Sequence, residues 1–214
     1  MTETNTEPNE TAALEKMARD IDRSRMKRIG SQHFVMVVGA LTLWGAALAW
    51  AEVTDWGIAS AAAIAGALIA GSIIPPTVHE WGHLAAARLV GAVSPVLDKP
   101  KGHFFLFDFA MDKNDTRQFL WMSWGGIVAP WVPVVMIALL VPMAQISSVV
   151  LLATLFARAV SVAVFEVPIV LRTSRSREPG TELGKRLSEG GLPSSQRLGG
   201  AAGVAFLALL LIAI

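Results

Sequence analysis

The sequence predicts an all-α, polytopic membrane protein with about five transmembrane helices and a short membrane-associated β hairpin. Of its 214 residues, 53% are hydrophobic and only 16% are charged, and the apolar residues form runs long enough to cross a bilayer. Basic residues flank these runs and form no broad patch, so the net charge of +1 gives no support for nucleic-acid binding. Because the chain contains no cysteine, any metal site must use nitrogen and oxygen ligands.

Residues 1–30 are predicted to lie outside the membrane, on its cytoplasmic side. Residues 1–10 are polar and are expected to be disordered. Between residues 11 and 29, Leu14, Met17 and Ile21 recur at helical spacing, which predicts a short helix lying on the membrane surface. A solvated helix without membrane contact fits the same pattern. Residues 31–214 are predicted to form the membrane domain.

Five spans follow from the lengths of the apolar runs, since about 20 helical residues cross the hydrocarbon core. They are predicted at residues 34–53, 57–90, 119–141, 146–171 and 198–214. Pro75 and Pro76 lack amide hydrogens, so we expect them to interrupt the second span and to start a new helical piece. The third span contains Gly125, Gly126 and Pro130, so we expect it to be irregular and closely packed.

Two connections between spans have distinct compositions. Residues 102–112 are rich in phenylalanine but too short to cross a membrane as a helix. They are predicted to form a strand or hairpin that dips into the membrane surface. Residues 172–197 are rich in arginine, serine, glycine and proline, which predicts a polar cytoplasmic loop.

The distribution of lysine and arginine predicts the orientation of the chain. Basic residues precede the first span and occupy the connections between spans two and three and between spans four and five. The opposite connections, residues 54–56 and 142–145, contain none. By the positive-inside rule, the N-terminus lies in the cytoplasm and the C-terminus outside. The expected location is a bacterial inner membrane or a plasma membrane.

The motif His79-Glu80-Trp81-Gly82-His83 places ionisable groups inside the second span, where they are costly and therefore point to a function. Residues four apart lie on one helix face, so His79 and His83 can bind one metal ion. This HExxH pattern is typical of zinc hydrolases, in which the glutamate acts as general base. The motif predicts a Zn²⁺ site with His79 and His83 as ligands and Glu80 as the catalytic residue.

Glu166 in the fourth span is the predicted third ligand. It lies six residues before Arg172, while His79 and His83 lie nine and five residues before Arg88. At 1.5 Å per residue, all three are expected roughly 8 to 14 Å from the cytoplasmic interface. A carboxylate at that depth costs on the order of 3 kcal/mol unless it is paired, and a shared metal ion would offset this cost.

Other assignments for Glu166 and for the third ligand stay open. Glu166 could instead form a structural ion pair with a residue of another helix. Arg158 is the basic residue in the same span, but it lies about 12 Å from Glu166 along the helix axis, too far for a simple contact. Asp108 is the second candidate ligand, followed by Asp112, Asp115 or no third protein ligand. His33 and His103 are interpreted as interfacial side chains.

The segment from His79 to Gly91 (HEWGHLAAARLVG) resembles the active-site helix of the site-2 proteases, which are membrane-embedded zinc metalloproteases. The resemblance covers residues 57–172 and implies a core of spans two, three and four, with the phenylalanine-rich segment as its β hairpin. It also implies zinc bound by His79 and His83, with Glu80 as catalytic base. The family's third core helix carries an aspartate ligand in a Leu-Asp-Gly motif. Residues 164–172 contain no aspartate, so either Glu166 replaces it or the third ligand is absent.

The predicted function is a zinc-dependent intramembrane endopeptidase that cleaves transmembrane proteins or leftover signal peptides within the lipid bilayer. The alternative is a non-catalytic subunit of the same fold that binds a partner membrane protein in a structural or assembly role. A metal carrier or channel is a weaker third hypothesis, because two histidines with an adjacent carboxylate suit hydrolysis better than transit.

Overall fold

A computed structural model describes the backbone of residues 7–101 and 105–213 and the side chains of residues 12–99 and 106–213. These residues form seven helices and one two-stranded antiparallel sheet. In chain order the elements are α1 (Glu7–Thr54), α2 (Gly57–Leu89), β1 (Val96–Lys101), β2 (Phe105–Phe107), α3 (Thr116–Val128), α4 (Trp131–Leu140), α5 (Ile146–Ser176), α6 (Pro179–Ser188) and α7 (Gly191–Ala213).

Five helical stretches in the described part of the chain are long and apolar enough to cross a membrane, which confirms a multi-pass membrane protein. They are Ala12–Thr54, Gly57–Leu89, Thr116–Leu140, Ile146–Ser176 and Gly191–Ala213. Helices α2 and α5 lie at the centre, because α2 packs against α1, α3 and α5, and α5 packs against α2, α3, α4 and α7. Two junctions result, one between α2, α3 and α5 and one between α2, α5 and α7.

Helix α1 is continuous from Glu7 to Thr54, with no break near residue 30, where the sequence predicts the division between a surface helix and the first span. Residues 7–10, predicted to be disordered, belong to this helix, and residues 1–6 lie outside the described residues. The helix has a packing reason to continue: Ile29 is buried in a cluster with Leu84, Val96 and Leu106. The N-terminal half of α1 therefore packs against the hairpin through Ile29.

Helix α2 continues through Pro75 and Pro76, so the predicted interruption is wrong. Two missing amides leave only the carbonyls of Gly71 and Ser72 without their helical donors, a loss that packed membrane helices tolerate. Pro75 is itself fully buried, and Gly71 packs against Thr154 of α5. Helix α2 is thus closely packed where the prolines remove its hydrogen bonds.

The third span is irregular, as predicted. It consists of α3 and α4, which meet at Ala129 and Pro130. Helix α3 begins with a capping box, in which the Asp115 carboxylate accepts a hydrogen bond from the Gln118 amide at 2.7 Å. Capping fixes the residue at which α3 starts, and hence the position of its carbonyl groups along α2.

The hairpin begins earlier than predicted. Strand β1 precedes the predicted range of 102–112, which includes β2; residues 102–104 lie outside the described residues, and residues 108–112 form no strand. Strand β1 was missed because distant residues stabilise it. The Val96 amide donates to Asp22 at 2.7 Å and the Val96 carbonyl accepts from Arg25 at 3.1 Å, both across more than 70 positions in sequence.

The predicted loop at residues 172–197 is largely helical. Helix α5 extends to Ser176 and ends at Arg177, whose φ of 63° stops the helix. Helix α6 follows, with Leu183 packed against a cluster that includes Ile169 and Phe119. Helix α7 then starts at Gly191, earlier than the predicted residue 198. Polar composition was misleading here, because one face of α6 still packs on the membrane domain.

Candidate metal centre

His79 and His83 lie one turn apart on α2 and converge with Glu166 of α5. Their Nε2 atoms are 3.2 Å apart. The Oε1 atom of Glu166 lies 3.3 Å from Nε2 of His79 and 3.2 Å from Nε2 of His83. Among the residues that the structure describes, these three form a group that could hold a metal ion.

Helix α3 fixes the orientation of both imidazoles through two backbone carbonyls. The Nδ1 atom of His79 lies 2.9 Å from the carbonyl oxygen of Gly126, and Nδ1 of His83 lies 2.9 Å from that of Met122. Since a carbonyl oxygen can only accept, each Nδ1 carries the hydrogen and donates it. Each Nε2 is then left with a lone pair directed at the other histidine and at Glu166, the arrangement that metal-ligating histidines use.

Three lone-pair atoms therefore face one another without a hydrogen between them. Such an arrangement is repulsive unless a cation, either a proton or a metal ion, sits among them. The second carboxylate oxygen of Glu166, Oε2, is buried and has no hydrogen-bond partner among the described residues. The donor set of two imidazole nitrogens and one carboxylate thus fits a metal cation.

Glu80 lies beside this group without joining it. Its side chain is 6% exposed, and its Oε1 atom is 3.8 Å from Nε2 of His79. The backbone amide of Leu106 in β2 interacts with the same carboxylate. Glu80 consequently lies between the three ligand atoms and the hairpin, where it could exchange a proton with a small molecule at the cluster.

Glycines explain how α3 comes close enough to hold the histidines. A Cβ atom at Gly126 would overlap the imidazole of His83. Gly82 of α2 and Gly125 of α3 face each other, and a Cβ on either would meet the other's carbonyl. The Gly125-Gly126 pair, for which the sequence predicts close packing, therefore brings the Met122 and Gly126 carbonyls into contact with the rings.

Arg186 is a residue beside the site that sequence reasoning missed. Pro168 has no amide hydrogen, so the carbonyl of Val164, four residues earlier, lacks its helical donor. Arg186 of α6 replaces that donor, with Nη2 2.9 Å from the Val164 carbonyl oxygen, and its guanidinium carbon lies 6.0 Å from the ring centroid of Phe165. The proline inside a polar-flanked span was the signal that an external donor was needed.

The structure does not bring the alternative ligands to the site. Asp108, Asp112 and Asp115 are exposed and lie outside the group of His79, His83 and Glu166. His33 accepts a hydrogen bond from the indole of Trp81 at 3.1 Å, so it serves contact between α1 and α2. His103 lies outside the described residues. Among the described residues, no ion pair joins Arg158 to Glu166, whose Oε1 atom instead lies 3.2 to 3.3 Å from the two histidines.

Comparison of the chain with known protein families, with curated proteins and with solved structures finds no match. The fold and the site define a multi-pass membrane protein with a His-His-Glu group that could hold a metal ion. Its activity is inferred from the chemistry of that group.

Proposed function

We propose that the protein is a zinc-dependent intramembrane endopeptidase of the site-2 protease type. The observation that carries this proposal is the convergence of His79, His83 and Glu166, with Glu80 beside them, between membrane-spanning helices. Tetrahedral ligands with bonds of about 2.0 Å lie about 3.3 Å from one another. The separations of 3.2 to 3.3 Å between the three ligand atoms agree with that geometry.

The donor set favours zinc with a hydrolytic role. Two histidines and one glutamate are a set that catalytic zinc sites use, with a further position left open. A zinc ion held there would supply Lewis-acid polarisation of a peptide carbonyl and lower the pKa of water at the open position. Glu166 of this chain would take the place of the aspartate that the resembling family carries.

Glu80 is proposed as the general base and acid. Its carboxylate is close enough to the cluster to accept a proton from a water molecule and to return it to the amine that leaves when the peptide bond breaks. Its burial shields that exchange from bulk water.

The hairpin is the proposed substrate-binding edge. Asp22 and Arg25 of α1 already bind the backbone of β1 at Val96, so the outer edge of β1 is occupied. Strand β2 lies against α2, next to Glu80. An unwound segment of a transmembrane protein or signal peptide could add to β2 as a strand, and its carbonyl would then face the cluster.

The remaining parts of the proposal follow from the sequence. Spans two, three and four, now α2, α3 with α4, and α5, would be the three-helix core implied by the resemblance. The positive-inside rule places the N-terminus in the cytoplasm and the C-terminus outside, in a bacterial inner membrane or a plasma membrane. A non-catalytic subunit that binds a partner membrane protein is the alternative, favoured by the absence of the family's aspartate motif.

Glu80→Gln tests the proposal. We would reconstitute the full chain in vesicles with a panel of single-span proteins that carry helix-destabilising residues, and would measure cleavage by mass spectrometry. Glu80→Gln should lower the cleavage rate by at least about 10²-fold because the general base is lost, while zinc stays bound. Glu52→Gln, on the exposed end of α1, is the matched control and should cleave normally.

Equal cleavage by wild type and Glu80→Gln would refute the proteolytic mechanism. A wild-type protein that holds no zinc and cleaves no member of the panel would favour the non-catalytic subunit.

A further inference from the structure

A groove of about 440 Å³ lies between α2, α5 and α7, at the junction that does not contain the metal-ligand group. Apolar and small side chains form most of its wall. Its polar members include Ser72 of α2, Thr154, Arg158 and Ser161 of α5, and Gln196 of α7. Thr154 and Ser161 donate to carbonyls of their own helix at 2.7 and 2.9 Å, so Arg158 is the strongly polar group that the groove presents.

Arg158 lies near the middle of a membrane-spanning helix. It is 12 residues from Ile146 and 14 residues from Arg172, which corresponds to about 18 and 21 Å along the helix axis. Its side chain is exposed, and no carboxylate of the described residues forms an ion pair with it. A guanidinium at this depth is costly without a partner.

Snorkelling does not remove this cost. An arginine side chain extends about 7 Å, whereas the middle of the hydrocarbon core is about 15 Å from either interface. The lipid phosphates therefore lie beyond its reach in an undistorted bilayer. A counter-charge brought to Arg158 inside the membrane would offset this cost.

The glycines of α7 differ in what they pack against. Gly199 and Gly203 pack against α5, where a Cβ would overlap Ser161 or Ala157. Gly200 also lines the groove, but a Cβ there would have no atom within 4 Å. The structure of this chain thus gives no packing reason for a glycine at 200, whereas a helix lying in the groove would, because small residues let helix backbones approach closely.

We propose that this groove binds a transmembrane helix of another membrane protein, and that an aspartate or glutamate near the middle of that helix pairs with Arg158. The proposal goes beyond proteolysis and does not depend on it, since the groove is lined by α7 and lacks the metal-ligand residues. It describes where a partner, or a substrate before cleavage, is held.

A second copy of the chain cannot supply this carboxylate. Within the five spans predicted from the sequence, which begin at residue 34, there are three acidic residues, Glu52, Glu80 and Glu166. Glu80 and Glu166 are enclosed at the metal centre. Glu52 lies two residues before Thr54, the end of α1, far from the depth of Arg158. Charge complementarity therefore points to a different protein.

The test uses the full chain in phosphatidylcholine vesicles with fluorescent single-span peptides built from leucine and alanine. The peptides carry one glutamate, one glutamine or one lysine at the central position, and association is measured by energy transfer. We expect the glutamate peptide to bind at least tenfold more tightly than the glutamine peptide. Arg158→Met should abolish this preference, and Arg158→Glu should transfer it to the lysine peptide.

Two variants serve as controls. Arg172→Met removes an arginine at the end of the same span, one that pairs with Glu189 at 3.1 Å, and should leave the glutamate preference unchanged. Gly200→Leu should fill the groove and weaken binding of all peptides while the chain stays folded, as judged by thermal unfolding.

Three results would overturn the proposal. The first is equal binding of the glutamate and glutamine peptides. The second is an Arg158-dependent retention of phosphatidylglycerol, added to the vesicles, without peptide discrimination, which would assign the groove to a lipid. The third is an Arg158-dependent self-association of the chain without peptide, which would assign it to a second copy.

Discussion

The two helix junctions of this protein share α2 and α5 but treat their ionisable residues in opposite ways. In the junction with α3, Glu166 meets two histidines whose other nitrogens are held by backbone carbonyls. In the junction with α7, Arg158 faces an open groove and pairs with no described carboxylate. The first junction is complete within the chain except for a cation. The second is incomplete without another molecule.

Glycines show the same difference. The space that a side chain would need at Gly126 is filled by the His83 imidazole, whereas the space at Gly200 is open. In this membrane protein, a glycine packed against the chain's own side chains serves the chain's own site, whereas a glycine beside open space faces an external neighbour.

The largest effect is expected from Gly126→Ala compared with Gly200→Ala. Alanine at 126 must displace the His83 ring and its hydrogen bond to the Met122 carbonyl. We expect zinc affinity to fall about 10- to 100-fold and the free energy of unfolding to fall by about 1 to 3 kcal/mol. Zinc titration and thermal unfolding of the purified chain measure both quantities.

Gly200→Ala is the matched control, because its Cβ meets nothing within 4 Å. It should bind zinc and unfold like the wild type. Wild-type zinc affinity in Gly126→Ala would show that contact between α3 and His83 does not order the site.

A smaller effect is expected at Arg186, which, unlike Arg158, pairs with an acceptor among the described residues. Arg186→Met leaves the Val164 carbonyl without its donor and should lower the free energy of unfolding by about 1 to 2 kcal/mol. Pro168→Ala restores an amide hydrogen that can bond Val164 within α5. Arg186→Met should therefore lower the free energy of unfolding by less in the Pro168→Ala background than in the wild type.

The double-mutant cycle is measured by denaturant unfolding in mixed micelles. A coupling energy of at least about 0.5 kcal/mol is expected between positions 168 and 186. Strictly additive effects would mean that Arg186 does not compensate for the proline.

The smallest effect is expected outside the membrane, where Asp98 of β1 pairs with Arg28 of α1 at 2.9 Å. The Arg28 guanidinium lowers the pKa of the Asp98 carboxyl below its usual value. A carboxylate with a lowered pKa in the folded state stabilises the fold above its unfolded pKa of about 3.9, and this contribution is lost as pH falls through the folded pKa. Both side chains are more than half exposed, so solvent screens the pair.

Hydrogen exchange of residues 96–99 measures this contribution. Asp98→Asn should speed exchange slightly at pH 7, and the difference from wild type should shrink as the pH falls below about 3.9 in a titration from pH 7 to pH 3. Glu15→Gln, which removes an exposed pair within α1, is the control and should leave the hairpin unchanged. A difference that stayed constant down to pH 3 would contradict an ionic contact.

Local spacing made part of the site predictable from sequence. His79 and His83 share a helix face because they are four residues apart, and counting residues from the basic flanks gave Glu166 the same depth. The Met122 and Gly126 carbonyls were not predictable, since backbone atoms leave no signal in residue identity. Strand β1 was missed because it is stabilised by contacts with Asp22, which is far away in the sequence. The role of Arg186 was missed because it lies in a segment whose polar composition predicted a loop.

The most direct measurement is the metal content of the detergent-purified chain, determined by mass spectrometry after incubation with zinc and dialysis. Wild type, His83→Ala, Glu166→Ala and Arg158→Ala would be prepared identically. We predict about one zinc per chain in wild type and Arg158→Ala, and loss of zinc in the other two, because each removes one of three ligands. Full zinc in Glu166→Ala, or none in the wild type, would contradict a metal centre built from His79, His83 and Glu166.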